Sequence, residues 1–293
     1  MKLLNKYKNG NAEVSIFDDG TRIVDYPDHE KLNLEYPLSI DLCITKYCEV
    51  GCPYCYAGCT QEGKHADIMN LDFIDTMIAG EECAIGGGSV TTHPDLKPFL
   101  RKLKEKGIIA NMTVSQPEFV EKVMLINELI DEDLIKGLGI SYKARFDLLW
   151  KNVAENDNAI IHLIAGVHGK DVFDYLSQFN CKILILGYKN LERGIKYREQ
   201  DKDVDGKIEW LKNNLDKYIK KFKLISLDNL AIEQLEPQHI FTEEQWKTIY
   251  QGNDGETSFY IDAVNKTFHK SSLVKEGYPL KKSITEMFQI IKK

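Results

Sequence analysis

Six short apolar runs, at residues 38–44, 83–85, 108–114, 138–141, 159–165 and 181–186, mark candidate strands. Longer segments with helical patterning lie between them, at 94–106, 117–129, 143–154 and 171–179. This alternation constrains the chain more than its composition does, because parallel strands need a long crossover between them and a helix is the usual one. The runs are continuous rather than alternating apolar and polar, which points to strands covered on both faces. The expected class is α/β, a parallel sheet either closed towards a barrel or doubly wound. In β/α barrels the working groups gather at the C-terminal ends of strands, so the segment after each run is where chemistry is expected.

The segment after the first run carries the strongest chemical signal. Cys48, Cys52 and Cys55 stand in the spacing C-x₃-C-x₂-C. Three thiolates can hold three irons of a cubane cluster and leave the fourth iron without a protein ligand. Two other readings use the same residues. Zinc normally takes four ligands, and Cys59, Cys43 or His65 would supply the fourth, making the chain a zinc-binding interaction module. Cys59 also forms a C-x₂-C-x₃-C ladder with Cys52 and Cys55. A four-cysteine cluster that used Cys59 would close the open iron and make an iron–sulfur electron-transfer protein. Cys43 lies inside the first strand, and Cys83 and Cys181 lie at strand starts, so all three read as buried thiols.

The apolar strand, the C-x₃-C-x₂-C loop and Tyr54, the aromatic before its last cysteine, resemble the radical S-adenosylmethionine (SAM) enzymes. A second match is Ala84-Ile85-Gly86-Gly87-Gly88-Ser89, which resembles the family's glycine-rich motif after the second core strand. Gly88 departs from it, standing where the family usually has Glu. The resemblance covers the core alone, and it implies a partial (β/α)₆ TIM-like barrel. It also implies that Cys48, Cys52 and Cys55 bind a [4Fe-4S] cluster whose open iron chelates SAM. One-electron cleavage of SAM would then give a 5′-deoxyadenosyl radical that abstracts a substrate hydrogen. By the same resemblance the backbone of Gly86, Gly87 and Gly88 receives the SAM ammonium, and Tyr54 lies near the adenine. Ser115 and Ser141, after the third and fourth strands, are candidates for the ribose and carboxylate of SAM. Val167, in a small-residue turn after the fifth strand, and Gly187, after the sixth, are candidates for the adenine. His168 is a candidate acid, base or substrate ligand, and Tyr188, with Gly187, is a candidate for the adenine or the substrate.

Composition agrees with a reducing compartment. Five of the seven cysteines fall between residues 43 and 59, a pattern that suits a metal site better than a disulfide framework. Beyond Cys83 the only cysteine is Cys181, so a second all-cysteine cluster cannot be built. Electrons would come from an external one-electron reductant of the flavodoxin or ferredoxin kind. A formal net charge of -7 gives no global basic footprint, so duplex nucleic acid is not expected. No apolar run of about 18 residues occurs and the N-terminus is polar, so a cytoplasmic protein with no membrane partner is expected. The substrate would be a small molecule, a peptide or a protein.

The flanks read as additions to a core at 36–190: an N-terminal hairpin extension at 1–35 and a helical and β extension at 191–293 that completes or covers the barrel. Hairpins are expected at 12–26, around Asp19-Gly20, and at 258–270, around Asn265-Lys266, and the two are candidates for one small accessory sheet. The charged stretch 201–221 should hold a helix at 207–220. Thr92 or His93 is expected to cap a helix begun by Pro94. Lys189, Arg193 and Lys196 form a local basic group, either for an anionic substrate or as a solvated helix start. Glu233 and Glu236, on a later strand, are further candidates for the pocket.

Overall fold

The protein is described here by a computed structural model, which covers all residues except Met1, Asp19, Asp28, Asp201, Lys202 and Gln251. The expected turn residue Asp19 and the start of the charged stretch at 201–202 therefore lie outside the described residues.

Strands β1 (Leu3–Asn9), β2 (Ala12–Phe17) and β3 (Arg22–Asp25) form an antiparallel sheet of their own. It is fastened to the core by Asn9, a fully buried side chain whose hydrogen bonds reach the segment leading into the main sheet. Its amide donates to the Tyr36 carbonyl at 2.8 Å and its oxygen accepts from the Glu35 and Tyr36 N–H groups. Buried polar groups persist only with such partners.

The main sheet takes the strands in chain order. β4 (Ser39–Thr45), β5 (Glu82–Gly87), β6 (Ile109–Ser115), β7 (Gly137–Ser141), β8 (Ala159–Ile164), β9 (Lys182–Leu186) and β10 (Leu224–Leu227) pair successively, each parallel to the last. The six apolar runs of the sequence are the first six of these. Their buried faces, such as Leu42-Cys43-Ile44 and Ile161-His162-Leu163, are continuous because helices cover the side away from the cavity.

The crossovers are α1 (Leu96–Glu105), the pair α2 (Gln116–Glu121) and α3 (Val123–Asp131), α4 (Asp147–Glu155) and α5 (Lys170–Leu176). In α1 the residues Leu96, Phe99, Leu100 and Leu103 make one buried stripe. The helix stops at Gly107, whose φ of +73° suits a left-handed C-terminal cap. The single helix expected at 117–129 is two, broken at Lys122. Likewise the helix expected at 207–220 is split into α7 (Val204–Lys212) and α8 (Leu215–Ile219), which follow α6 (Arg193–Gln200).

After β10 come α9 (Asn229–Leu235) and α10 (Glu243–Ile249). The segment carrying Glu233 is thus helical, not the strand expected. Asp228 caps α9 by accepting from the Ala231 N–H at 2.7 Å, and Glu236 turns outward to Lys212 at 3.0 Å.

The second hairpin, β11 (Ser258–Asp262) and β12 (Thr267–His269), does not join the first. β11 lies parallel beside β4, with Asp41 opposite Tyr260, and β12 continues antiparallel to the short β13 (Tyr278–Pro279). The last helix, α11 (Ile284–Ile291), packs Phe288 on Phe259 of β11 at 6.1 Å between ring centres. The sheet order is β10-β9-β8-β7-β6-β5-β4-β11-β12-β13, an α/β architecture with a large, mostly parallel sheet. Among the described residues its two edge strands are not paired to each other.

Candidate functional site

The C-terminal ends of β4 to β9 border one cavity of about 460 Å³. Of the sequence candidates, Cys48, Cys52, Cys55, Tyr54, Gly86, Gly87, Gly88, Ser115, Ser141 and Gly187 all line it. Val167 does not line it. A shallower groove of about 630 Å³ runs outside, along α5 and α7, past Lys170, Asp174 and Trp210, and holds none of these residues.

The loop after β4 is held in shape by its own backbone. Cys48 N–H donates to the Thr60 carbonyl at 2.8 Å, and the Cys55 N–H closes a turn on the Cys52 carbonyl at 3.2 Å. The three thiols are half-buried and free. Arg193, on the first turn of α6, grips the loop from outside: Nε donates to the Cys52 carbonyl at 2.9 Å and both terminal nitrogens reach the Cys59 carbonyl at 3.0 Å. Of the three basic residues noted in the sequence, Arg193 thus serves the cysteine loop. Lys189 lines the cavity, and Lys196 is exposed.

Two side chains donate towards the cysteine sulfurs. Lys143, two residues after β7, places Nζ 2.7 Å from Cys52 Sγ and 2.6 Å from the Tyr54 hydroxyl. Ser89 Oγ lies 3.7 Å from Cys48 Sγ. Lys143 carries no motif, and only its place just beyond a strand end marks it in the sequence. Cys59 is buried, borders the same cavity and is hydrogen-bonded to Cys55. That bond lowers the Cys55 thiol below the usual thiol range and raises Cys59.

The glycine triplet has three different physical reasons. Gly86 would carry a β-carbon into open space. Gly87 has φ +127° and would meet the Thr45 carbonyl oxygen at 2.3 Å. A β-carbon on Gly88 would meet the Tyr47 carbonyl oxygen at 1.9 Å, which leaves no room for the family's Glu. Gly88 N–H donates to the Thr45 carbonyl and Ser89 N–H to the Tyr47 carbonyl, at 2.8 and 2.7 Å. The glycine turn and the cysteine loop are therefore locked to each other.

The remaining candidates divide by what already occupies them. Ser115 Oγ caps α2 by accepting from the Glu118 N–H at 3.3 Å, in a reciprocal box with the Glu118 carboxylate. Ser141 lines the cavity without such a bond among the described residues. Gly187 is required by α9, because a β-carbon would fall 2.6 Å from Leu230 backbone. His168 is buried, accepts from the Ile164 N–H through Nδ1 at 2.8 Å, and is pushed down to about 4 by burial. His93 accepts from the Asp95 N–H ahead of α1 and bonds the Ala66 carbonyl at 2.9 Å, so its ring is structural. His65 pairs with Thr45 Oγ1 at 2.9 Å. Among the described residues no three His, Cys, Asp or Glu side chains converge as tightly as a single metal ion needs.

No protein-family model matches the chain, and no curated protein matches it. Among solved structures it is similar to Streptococcus suis SuiB. With precursor peptide SuiA bound, SuiB matches at a TM-score of 0.59 and 15% identity, over 89% of this chain and 65% of that one. Bound to S-adenosylmethionine it matches at 0.55 and 14%, over 92% and 73%. A further SuiB structure gives 0.53 and 15%, over 89% and 66%. The chain spans just under two thirds of the first of these. At such identity the likeness is one of fold.

Proposed function

We propose that the chain is a radical SAM enzyme. The observation that carries this reading is the lock between the Cys48–Cys55 loop and the Gly86–Gly88 turn at the rim of one cavity, in a fold like that of a protein solved with SAM bound. The donor set fits an iron–sulfur cluster: three half-buried thiols on one loop, lining a cavity, with hydrogen-bond donors at two of the sulfurs. Thiolates that each hold a different iron stand farther apart than ligands of a single ion.

Cys48, Cys52 and Cys55 would hold the [4Fe-4S] cluster, and the Gly86–Gly88 backbone would receive the amino end of SAM. When bound, the cluster supplies the electron that cleaves SAM to methionine and a 5′-deoxyadenosyl radical, the agent of hydrogen abstraction. The chain's own residues hold and enclose. Arg193 fixes the loop carbonyls, Lys143 sets a positive charge beside Cys52, and Tyr54 and Ser141 offer polar contacts to the bound nucleoside. The cavity walls keep water from the reacting atoms. In this reading residues 36–190 carry the chemistry and 191–293 complete and cover it.

SuiB was solved with a precursor peptide, and on that likeness a peptide is the substrate class we favour. The electron donor would be a flavodoxin- or ferredoxin-like protein, and the cytoplasm the place of work. No helix among the described residues is long and apolar enough to cross a membrane.

The test is anaerobic reconstitution with iron and sulfide, followed by SAM and dithionite, with 5′-deoxyadenosine read by mass spectrometry. Its formation is expected. A fully loaded cluster that leaves SAM intact overturns the reading.

A further inference from the structure

Two polar side chains deep in the cavity have no place in the chemistry above. Asp41 stands on β4 between the buried Ile40 and Leu42 and lines the cavity, where it keeps accessible surface. Its carboxylate makes no hydrogen bond or ion pair among the described residues. It is nonetheless deep enough for burial to push its acid up to about 6, with Lys189 pulling the other way and Asp254 and Asp228 adding to the rise. His162, on β8, is 8% exposed and lines the same cavity. Its ring fills the space left by Gly139, where a β-carbon would fall 2.4 Å from Nε2, and neither ring nitrogen has a hydrogen-bond partner among the described residues. Burial pushes the ring down to about 4, so it is neutral at physiological pH.

The nearby charges are already committed. Lys189 Nζ donates to Ser272 Oγ at 2.8 Å and lies 4.0 Å over the Tyr56 ring. Asp228 accepts from the Gly187 and Ala231 N–H groups, and Asp254 accepts from Asn229. Asp41 is left facing the cavity with its hydrogen-bonding capacity unused. Asp41 pairs in register with Ala84, two residues before Gly86, and so lies roughly 7 Å further down the strands than the glycine turn. A group bound there is distinct from one held by the turn.

We propose that the deep end of the cavity is a subsite for a positively charged substrate side chain, its ammonium or guanidinium held by Asp41 and a hydrogen bond supplied by His162 from another wall. This rests on the cavity being the substrate site of the enzyme proposed above, and adds the charge its substrate carries there. Leu184 and Ala84, which also line the cavity, suit the apolar stem of such a side chain.

The probes are N-acetyl-lysine amide and N-acetyl-arginine amide, set against the uncharged N-acetyl-norleucine amide and the anionic N-acetyl-glutamate amide. They are titrated into the full chain as purified and, where it loads, with cluster and SAM, and Kd is read by ligand-observed NMR. The expected result is binding of a cationic probe at least tenfold tighter than norleucine amide. Asp41→Asn, which keeps the shape and removes the charge, should erase the preference, while Asp41→Glu should keep it. His162→Phe should weaken a cationic probe without reversing the preference. Equal binding of charged and uncharged probes overturns the proposal, as does a preference that survives Asp41→Asn. Preference for the glutamate probe overturns it too, and assigns the site to Lys189. The wild-type comparison needs no variant, so a misfolded variant leaves the proposal exposed to refutation. SAM cleavage is read separately: its absence with the lysine preference intact removes the radical chemistry alone, and the converse removes the subsite alone.

Discussion

A β-carbon on Gly88 would fall 1.9 Å from the carbonyl oxygen of Tyr47, the residue that leads into Cys48. The contact joins the second strand's turn to the first strand's loop with no side chain between them. Gly88→Ala must therefore displace the Tyr47 peptide and the Ser89 N–H bond made to it. The expected cost is about 1–3 kcal/mol by denaturant titration, with a large loss of iron uptake. Gly86→Ala is the control, because its β-carbon meets nothing within 4 Å. It should load iron normally and lose affinity for SAM alone.

Arg193 reaches the Cys52 and Cys59 carbonyls through three nitrogens. Hydrogen bonds from a charged donor contribute about 1.5–3 kcal/mol each, so Arg193→Gln should release the loop. We expect iron to be stripped by a chelator about tenfold faster or more, followed by the decay of visible absorption. Arg193→Lys should not rescue, since an ammonium lacks the planar fork. Stripping at the wild-type rate in both variants would mean that the loop needs no such latch.

Cys59 bonds to Cys55 and borders the same cavity. With an open fourth iron, Cys59→Ala keeps its iron content and still cleaves SAM, whereas Cys48→Ala, Cys52→Ala and Cys55→Ala each lose the cluster. Iron analysis and electron paramagnetic resonance of the four variants decide this. Equal loss in Cys59→Ala and Cys55→Ala would make the chain an electron carrier.

Glu81 lies fully buried before β5, and one of its oxygens accepts the Ile78 N–H at 2.7 Å while the other has no partner among the described residues. Burial pushes its acid up to about 8, from an ordinary value of 4.5. The folded state therefore holds the proton more tightly than the unfolded chain. The linked stability is full below about pH 4.5 and falls as pH rises through 8. Glu81→Gln should flatten this slope and gain roughly 2–4 kcal/mol at pH 8 relative to wild type. Denaturant melts at pH 5 and 8 measure it, and parallel pH profiles for the two proteins would contradict it.

The sequence shows most clearly what is local. Continuous apolar runs betray β4 to β9 because their burial is written in consecutive residues. Cys48, Cys52 and Cys55 are legible because one short loop carries all three. The triple glycine was visible, but the reason for Gly88 was not, since it depends on Tyr47, 41 positions earlier. Arg193 looked like one of several surface cations, and only its distance to two distant carbonyls distinguishes it. The segment around Glu233 reads as a strand in sequence yet folds as α9, because its apolar spacing is ambiguous over so few residues. The Asp228 cap was the overlooked signal. Asp41 was a lone acid in an otherwise apolar strand, a pattern that deserves suspicion whenever both faces are expected to be dry.

The strand that opens the core, β4, is not at an edge of the sheet: β5 flanks it on one side and β11 on the other. Asp41 and its register partner Tyr260 are 219 positions apart, so a ribosome has to deliver 219 further residues before β4 gains its second neighbour. Pairings of such separation form late and slowly. The strand that feeds the cysteine loop thus gains β5 as an early neighbour and β11 only after β5 to β10 have been made. Metal assembly machinery would meet a settled loop only once β11 has been made and paired.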